Sequence, residues 1–262
     1  MNPYQRYADV AREVAARAAH LIRGNFLGAF AVANKGPSDL VTAVDRASEA
    51  LIVGELDRAF PDHAVVAEEG ARREGGARAF RWLVDPLDGT NNFAHGYPMV
   101  SVSLALEHEG AVVAGVVWDV LLDECFWATR GGGAYNDRGP LKVSKAERLG
   151  DALVSTGFPY DKHESPIDNL GNFARVTKRV QGIRRGGSAA LDLAWTAAGR
   201  LDAFWELKLA PWDDAAGTLL VTEAGGRVSR IDGSPFTPGD VDLVATNGLV
   251  HDDLRALLAL EG

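Results

Sequence analysis

Short apolar runs follow one another from Ala64 onward, and each stops at a Gly-rich or charged turn. Runs of this length between turn residues are typical of β-strands, and their nearly continuous apolar character indicates a sheet covered on both faces. Helices are expected to supply that cover, so the pattern predicts a protein of the α/β (α+β) class. The runs span 64–67, 80–84, 100–106, 111–117 and 125–128.

Helical periodicity marks the first thirty residues and the stretch 45–60, which stops at Pro61. Between them, Gly36 and Pro37 break the pattern and predict a loop leading into a short strand. The second half mixes helices with strands, and neither a repeat nor a low-complexity linker divides it. The predicted helices there span 170–180, 189–198, 215–224 and 252–260, and the strands span 203–205 and 243–245.

Composition limits the classes of protein that this chain can be. Its 262 residues, 47% of them hydrophobic, suffice for one large domain or two closely packed halves. A net charge of −9 makes nucleic acid and anionic membranes unfavourable partners. The single cysteine, Cys125, excludes an internal disulfide, and the first thirty residues contain neither a signal peptide nor a membrane span. We therefore expect a cytoplasmic protein with a buried, inert thiol.

Two aspartates three positions apart, Asp85 and Asp88, end an apolar run and precede Gly89 and Thr90. Pro86 stiffens this turn, and the glycine lets backbone N–H groups approach an anion closely. Carboxylate oxygens are the ligands that hard divalent cations prefer. The segment therefore indicates a site for metal ions and a phosphate group.

Three further acidic residues stand at the ends of predicted elements. Glu68 follows a strand, Asp213 opens a helix, and Asp45 begins another helix, from which it could reach the Thr90 hydroxyl. Each one alone is ordinary turn or cap chemistry. Together they would crowd negative charge unless divalent ions neutralised it, and this favours a metal site.

These motifs together resemble the inositol monophosphatase family of the lithium-sensitive, metal-dependent phosphatase superfamily. The resemblance implies a homodimer in which each chain is a single phosphatase domain over 1–262, a layered α/β/α/β/α sandwich of the inositol monophosphatase and fructose-1,6-bisphosphatase type. An N-terminal half over roughly 1–140 would carry most metal ligands, and a C-terminal half over roughly 141–262 would complete the site. The matching segments are 39–45, 67–69, 82–93, 187–190 with Glu206, and 212–217.

The resemblance also implies the metal ligands. Two to three Mg²⁺ ions are expected, with Mn²⁺ as a possible substitute and Li⁺ as an inhibitor. Glu68, Asp85 and the backbone carbonyl of Leu87 would hold one ion. Asp85, Asp88 and Asp213 would hold a second, and Glu68 would contribute to a third through water.

Hydrolysis of a phosphate monoester by activated water, without a covalent intermediate, is the implied reaction. Glu68 and Thr90 would orient the water, and Asp45 would orient the Thr90 hydroxyl. Lys35 corresponds to a family lysine in the loop that closes over the metals. The implied substrate contacts are Asp88, Gly89, Thr90, Gly187, Ser188, Ala189, Glu206 and Asp213.

A small sugar or polyol monophosphate is the expected substrate. The absence of a long insert, and the segment 187–190 with Glu206, favour inositol monophosphate, which would yield inositol and phosphate. Fructose 1,6-bisphosphate, histidinol phosphate, NADP and 3′-phosphoadenosine phosphates are the alternatives of the same fold.

Other functions fit the residues less well. A haloacid-dehalogenase-like phosphatase carries Asp-x-Asp, whereas Asp85 and Asp88 are three apart. A regulatory binding protein with a phosphatase fold is the non-catalytic alternative. The adjacent residues Arg184 and Arg185 are interpreted as a solvated or partner-facing pair rather than as a site for a second anionic group. Asp192 fits a helix surface or cap as well as a substrate contact.

Overall fold

The computed structural model describes residues 2–36, 39–75 and 80–259. Seven α-helices occur in these ranges, and a short 3₁₀ helix spans Leu149–Asp151. None of the helices within the described ranges combines the length and the apolar character needed to cross a membrane. The helices are α1 (Gln5–Asn25), α2 (Ala43–Ala59), α3 (Thr90–His95), α4 (Leu170–Val176), α5 (Ala189–Ala197), α6 (Pro211–Glu223) and α7 (His251–Leu258).

The strands of the described ranges form a hairpin, an eight-stranded sheet and a five-stranded sheet. The hairpin consists of β1 (Val32–Gly36) and β2 (Asp39–Thr42). The large sheet contains β3 (Ala64–Ala67), β4 (Arg72–Arg73), β5 (Phe80–Asp88), β6 (Ser101–His108), β7 (Ala111–Asp119), β8 (Glu124–Thr129), β9 (Gly133–Asn136) and β10 (Gly139–Pro140). The small sheet contains β11 (Leu153–Thr156), β12 (Gly182–Arg184), β13 (Ala203–Leu207), β14 (Arg227–Ser229) and β15 (Asp242–Thr246).

Strand order places β5 well inside the large sheet, which runs β10-β9-β8-β7-β6-β5-β3-β4. Strand β5 pairs parallel with β3 and antiparallel with β6. The small sheet runs β12-β11-β13-β15-β14, and β11 pairs parallel with both of its neighbours. Because β3 and β5 run parallel, their carboxyl ends, where Glu68 and Asp85 were expected to meet, lie at the same edge of the large sheet.

Five layers follow from the packing of the helices. Helices α1 and α2 cover one face of the large sheet, and α5 and α6 fill the space between the two sheets. Helices α4 and α7 pack on the outer face of the small sheet. This α/β/α/β/α order confirms the predicted fold class.

Strand β5 has apolar side chains on both faces because both faces are buried. Trp82 and Val84 pack into the core under α1 and α2, whereas Leu83 packs into the core between the sheets. Successive side chains alternate between faces, so a strand buried on both faces has no polar stripe. Cys125 is buried in the first of these cores, which confirms the expected burial of its thiol.

The structure moves some predicted boundaries. The strand expected over 80–84 continues to Asp88, the helix expected over 170–180 ends at Val176, and the helix expected from Ala215 begins at Pro211. Proline is favoured in the first turn of a helix, because its missing N–H has no partner there to lose. Short elements that the pattern did not predict are β1, β4, β9, β10, β11, β12, β14 and α3.

Candidate active site

An irregularity in β5 brings Asp85 and Asp88 to the same face of the large sheet. Asp85 pairs with Ser103 and Asp88 pairs with Ser101, so three steps along β5 match two steps along β6. Residues three apart in a regular strand point to opposite faces. The extra residue is a β-bulge, and it turns both carboxylates toward the layer formed by α5 and α6.

Side chains bind the backbone groups that the bulge removes from the ladder. Ser48 Oγ donates to the Pro86 carbonyl at 2.8 Å, and the Leu87 N–H donates to Asp85 Oδ1 at 3.0 Å. Thr90 Oγ1, whose proton goes to Asp45 at the shorter distance, lies 3.1 Å from the Leu87 carbonyl oxygen. Proline is tolerated at a bulge because it has no N–H to pair. The turn therefore leaves the ladder, but side chains still contact the Pro86 carbonyl and both backbone groups of Leu87.

Asp88 is held by the beginning of α5. Its Oδ2 accepts hydrogen bonds from Ser188 Oγ at 2.5 Å, from the Ala190 N–H at 2.9 Å and from Ser101 Oγ at 3.2 Å. Ser188 is also the N-cap of α5, and its hydroxyl accepts from the Leu191 N–H at 3.3 Å. The bond from Ser188 joins β5 to the N-cap of a helix 100 residues later, and the three bonds together set the direction of the Asp88 carboxylate.

Asp213 enters the site from the first turn of α6. Its Oδ2 accepts a hydrogen bond from the N–H of Ala210, the N-cap residue, at 2.8 Å. Ser103 Oγ donates to the Trp212 carbonyl at 3.1 Å, which ties this turn to β6. The two strand carboxylates and the helix carboxylate therefore share one anchored region between the sheets.

Helix α6 lies directly on the backbone of the large sheet. A Cβ atom at Gly115 in β7 would stand 2.9 Å from Ala216 Cα and 3.0 Å from the Ala216 carbonyl oxygen. Such a contact has no room for a side chain. The distance between α6 and the sheet, and with it the position of Asp213, is set by backbone contact.

Thr90 and Asp45 form a second polar connection at the site. Thr90 Oγ1 donates to Asp45 Oδ1 at 2.8 Å, and the fully buried Asp45 also accepts from the Thr42 N–H at 2.9 Å as part of the capping box of α2. Gly89 has a φ of 91°, and a Cβ there would meet the Met99 carbonyl at 2.7 Å. Glycine is therefore required where β5 turns into α3.

The acidic residues raise one another's affinity for protons. Burial, followed by the charges of Glu68, Asp88 and Asp213, raises the pKa of Asp85 well above its ordinary value. Burial and then the charges of Asp88 and Glu68 do the same to the pKa of Asp213. Burial also raises the pKa of Asp88, although the hydrogen bonds from Ser188 and Ala190 act in the opposite direction. A divalent cation would relieve this repulsion.

One cleft of about 340 Å³ collects most of the predicted site residues. We call it the cleft, and its walls include Glu68, Asp85, Leu87, Asp88, Gly89, Thr90, Gly187, Ala189, Glu206 and Asp213. Two predicted residues lie behind this surface: Ser188 is 1% exposed and Asp45 is fully buried. They reach the cleft through Asp88 and Thr90 respectively. The side chain of Lys35 lies outside the described residues.

Arg185 contributes to the cleft wall, which the sequence pattern did not favour. Asp192 is buried in α5, so the helix-surface interpretation is wrong; its Oδ1 has no hydrogen-bond partner in the structure. The signal in the sequence is that Asp192 stands among apolar residues on every side of α5, which is buried at nearly every position.

The donor atoms fit hard divalent cations. They are carboxylate and carbonyl oxygens, and the hydrogen bonds to Asp85 and Asp213 each engage one carboxylate oxygen. Within 2–36, 39–75 and 80–259, no three acidic, imidazole or thiol groups form a preassembled metal-binding cluster. Ions here would therefore need backbone, water or phosphate oxygens as additional ligands, as Mg²⁺ commonly does.

Comparison with known proteins gives a consistent picture. The model of the inositol monophosphatase family matches residues 4–260. The chain is 44% identical to the inositol-1-monophosphatase of Mesorhizobium japonicum over 87% of this chain and 84% of that protein. It is 47% identical to the Nus factor SuhB of Pseudomonas aeruginosa over 79% of this chain and 78% of that protein.

A solved structure agrees with the layered fold. The inositol monophosphatase from Anabaena (Nostoc) superposes with a TM-score of 0.89 at 40% identity, covering 97% of this chain and 95% of that chain. The family match, which spans nearly the whole sequence, confirms the resemblance carried by the acidic motifs. The chain therefore belongs to the inositol monophosphatase family, a family of generally metal-dependent phosphatases, and is an enzyme of that class.

Proposed function

We propose that this chain is a Mg²⁺-dependent phosphomonoesterase that hydrolyses inositol monophosphate to inositol and phosphate. The observation that carries the proposal is the arrangement of Glu68, Asp85, Asp88 and Asp213 around one cleft that also holds Thr90. The names of the relatives from Mesorhizobium japonicum and Anabaena support the choice of substrate. The site would lie between the halves 1–140 and 141–262, because Asp213 comes from the second half and the other three acids from the first.

The acidic walls of the cleft would hold the ions. We propose that Glu68, Asp85 and the Leu87 carbonyl hold one, that Asp85, Asp88 and Asp213 hold a second, and that Glu68 reaches a third through water. When bound, these ions would lower the pKa of water and neutralise charge on the phosphate. Mn²⁺ as a substitute and Li⁺ as an inhibitor are part of the same proposal.

Thr90 would orient the attacking water. Its hydroxyl proton is directed to Asp45 Oδ1 at 2.8 Å, so a lone pair of the Thr90 oxygen can accept a hydrogen bond from water. Glu68, which also lines the cleft, would accept a second hydrogen bond from the same water. The N–H groups of Gly89 and Thr90, together with Asp88, would position the phosphate.

Residues from the second half of the chain would recognise the polyol. Glu206 and Asp213 offer carboxylate oxygens to hydroxyl groups, and the backbone at Gly187 and Ala189 lines the same cleft. Because Ser188 is buried against Asp88, we propose that it acts by positioning that carboxylate. A homodimer located in the cytoplasm completes the proposal.

A second role beside catalysis is favoured by one observation, the relative named Nus factor SuhB at 47% identity. A regulatory binding function could coexist with the cleft, since it would use other surfaces.

The test is phosphate release from inositol 1-phosphate, fructose 1,6-bisphosphate, histidinol phosphate, NADP and 3′-phosphoadenosine 5′-phosphate, with and without Mg²⁺. We expect the highest kcat/KM on inositol 1-phosphate, with loss of activity in Asp88→Asn and no loss in Asp253→Asn, an exposed aspartate of α7. A higher kcat/KM on another phosphate ester would make that ester the proposed substrate. Phosphate release that does not depend on Mg²⁺ would refute the metal assignment.

A further inference from the structure

The carboxylate of Glu206 lies flat against the backbone of Gly157. A Cβ atom built on Gly157 would overlap the Cδ and both Oε atoms of Glu206. Gly157 is not among the residues with positive φ, so backbone strain does not explain a glycine here. The space that a side chain would fill is the space that the Glu206 carboxylate occupies.

Buried hydrogen bonds hold the backbone on the other side of this contact. Asn169 Nδ2 donates to the Gly157 carbonyl at 2.7 Å and to Thr156 Oγ1 at 2.9 Å. Thr156 Oγ1 donates in turn to the Trp205 carbonyl at 2.7 Å, and Trp205 Nε1 donates to Asn169 Oδ1 at 2.9 Å. All three side chains are at most 3% exposed. A new group at Gly157 would therefore displace the Glu206 side chain rather than the backbone.

This network also joins the two strands that carry the contact. Trp205 immediately precedes Glu206 in β13, and Thr156 immediately precedes Gly157 at the end of β11. The parallel pairing of these strands places Thr156 opposite Trp205. Glu206 and Gly157 are thus neighbours by strand register, and both line the cleft.

The charges around Glu206 agree with a carboxyl group held in place by its surroundings. Burial, then the charge of Asp192, raises the pKa of Glu206 to about 8, while Arg185 acts in the opposite direction and Asp88 adds a smaller increase. Because these surroundings disfavour the charged form of Glu206, its carboxyl group would turn toward water if it were free to move. The slot at Gly157 keeps it on the cleft wall.

We propose that Gly157 is a specificity-determining residue, which by lacking a side chain positions Glu206 to bind the hydroxyl groups of the substrate. This inference rests on the proposed function, because it presumes that the substrate carries hydroxyl groups near Glu206. It separates two properties of the cleft. Gly157 controls recognition of the alcohol part, whereas Glu68, Asp85 and Asp88 would act on the phosphate.

The test is Gly157→Ala, measured with inositol 1-phosphate and with phenyl phosphate, which lacks hydroxyl groups. For inositol 1-phosphate we expect KM to rise and kcat/KM to fall about ten- to a hundredfold, the effect of leaving hydrogen-bonding groups in the cleft without their partner. For phenyl phosphate we expect kcat/KM within about twofold of the wild type. Gly54→Ala in α2 is the matched control, since a Cβ there meets nothing within 4 Å.

A second variant separates displacement of Glu206 from general damage. Glu206→Asp shortens the side chain by one methylene, so Gly157→Ala with Glu206→Asp should recover part of the lost kcat/KM on inositol 1-phosphate. Equal losses on both substrates, or no loss on either, would overturn the inference. A wild type that hydrolyses phenyl phosphate without preferring inositol 1-phosphate would also overturn it, and a wild type without any phosphatase activity would instead refute the proposed function.

Discussion

Ser188 Oγ donates a hydrogen bond to Asp88 Oδ2 at 2.5 Å, although the two residues are 100 positions apart. The bond crosses from the N-terminus of α5 to the bulge of β5, so the direction of a proposed metal ligand depends on a helix of the central layer. Hydrogen bonds to a ligating carboxylate orient it and increase its effectiveness. The relationship makes Ser188 a sensitive position without placing it in the cleft.

Removing this hydroxyl with Ser188→Ala should weaken Mg²⁺ binding and lower kcat/KM by about 10- to 100-fold, the usual effect of deleting a partner of a metal ligand. The fold should persist, because Ala190 and Ser101 still donate to Asp88. Ser229→Ala is the control, since Ser229 is a buried serine that bonds to Arg230 and His251. Titration calorimetry with Mg²⁺ decides, and equal affinities in the two variants would contradict the prediction.

Replacing the Thr90 hydroxyl tests the orientation of water. Thr90→Val should lower kcat by about 100- to 1,000-fold, within the range expected for loss of general acid–base assistance, and should leave Mg²⁺ affinity within a few-fold. Thr90→Ser keeps the hydroxyl beside Asp45 and should retain most of the activity. Thr222→Val, which removes a hydroxyl bonded to the Thr218 carbonyl in α6, is the control. Similar kcat for the valine and serine variants would refute this role.

Asp213→Asn should stabilise the ion-free protein while abolishing activity. The pKa of Asp213 is raised in the folded state, so the unfolded chain releases its proton more readily and folding costs more free energy as pH rises above about 4. Asparagine removes the charge and keeps an oxygen for the Ala210 N–H. We expect a Tm gain of about 2–4 °C in EDTA at pH 8.

The pH series provides the check on that stability change. The Tm gain of Asp213→Asn should shrink as the pH falls, because protonation of the folded wild type removes the same charge that asparagine removes. Asp253→Asn, at an exposed site, should show no such trend. A wild type that is more stable than Asp213→Asn in EDTA at pH 8 would show that the carboxylate is favourably paired rather than repelled.

Mg²⁺ affinity should increase with pH. Burial and mutual repulsion raise the pKa values of Asp85 and Asp213, so protons compete with the cation and are released when it binds. Calorimetry between pH 6 and 8, in buffers with different ionisation enthalpies, measures the released protons directly. A binding constant that is independent of pH, with no proton release, would contradict the prediction.

The sequence predicted the longer elements and the acidic motifs because their signals are local. Apolar runs over 64–67 and 111–117 required no knowledge of their neighbours, and Asp213 was recognisable from the helix that it opens. Strands β11 and β12 escaped because polar residues or glycine interrupt their apolar character, as in Ser155 and Thr156 of β11 and Gly182 of β12. Their assignment depends on pairing with partners distant in the chain.

The site was predictable as a set of residues but not as a geometry. Pro86 suggested that β5 ends early, whereas the ladder to β6 continues past it because the proline lies in the bulge. Arg185 was expected on a solvated or partner-facing surface, and only the path of the chain from β12 into α5 places it on the cleft. Gly157 and Ser188 act through atoms remote in sequence, so no local pattern could have revealed their contacts.

The bulge in β5 makes the facing of Asp85 and Asp88 depend on the number of residues between them. An even number of steps between two carboxylates puts both on one face of a regular strand, but Asp85 and Asp88 are separated by an odd number and need one unpaired residue. Deleting a residue from this turn, or inserting one, would leave an even number of steps, which puts both carboxylates on one face only if the bulge disappears, together with the contacts that Ser48 and Thr90 make with its carbonyls. The turn should therefore tolerate replacement of Pro86 far better than any change in its length.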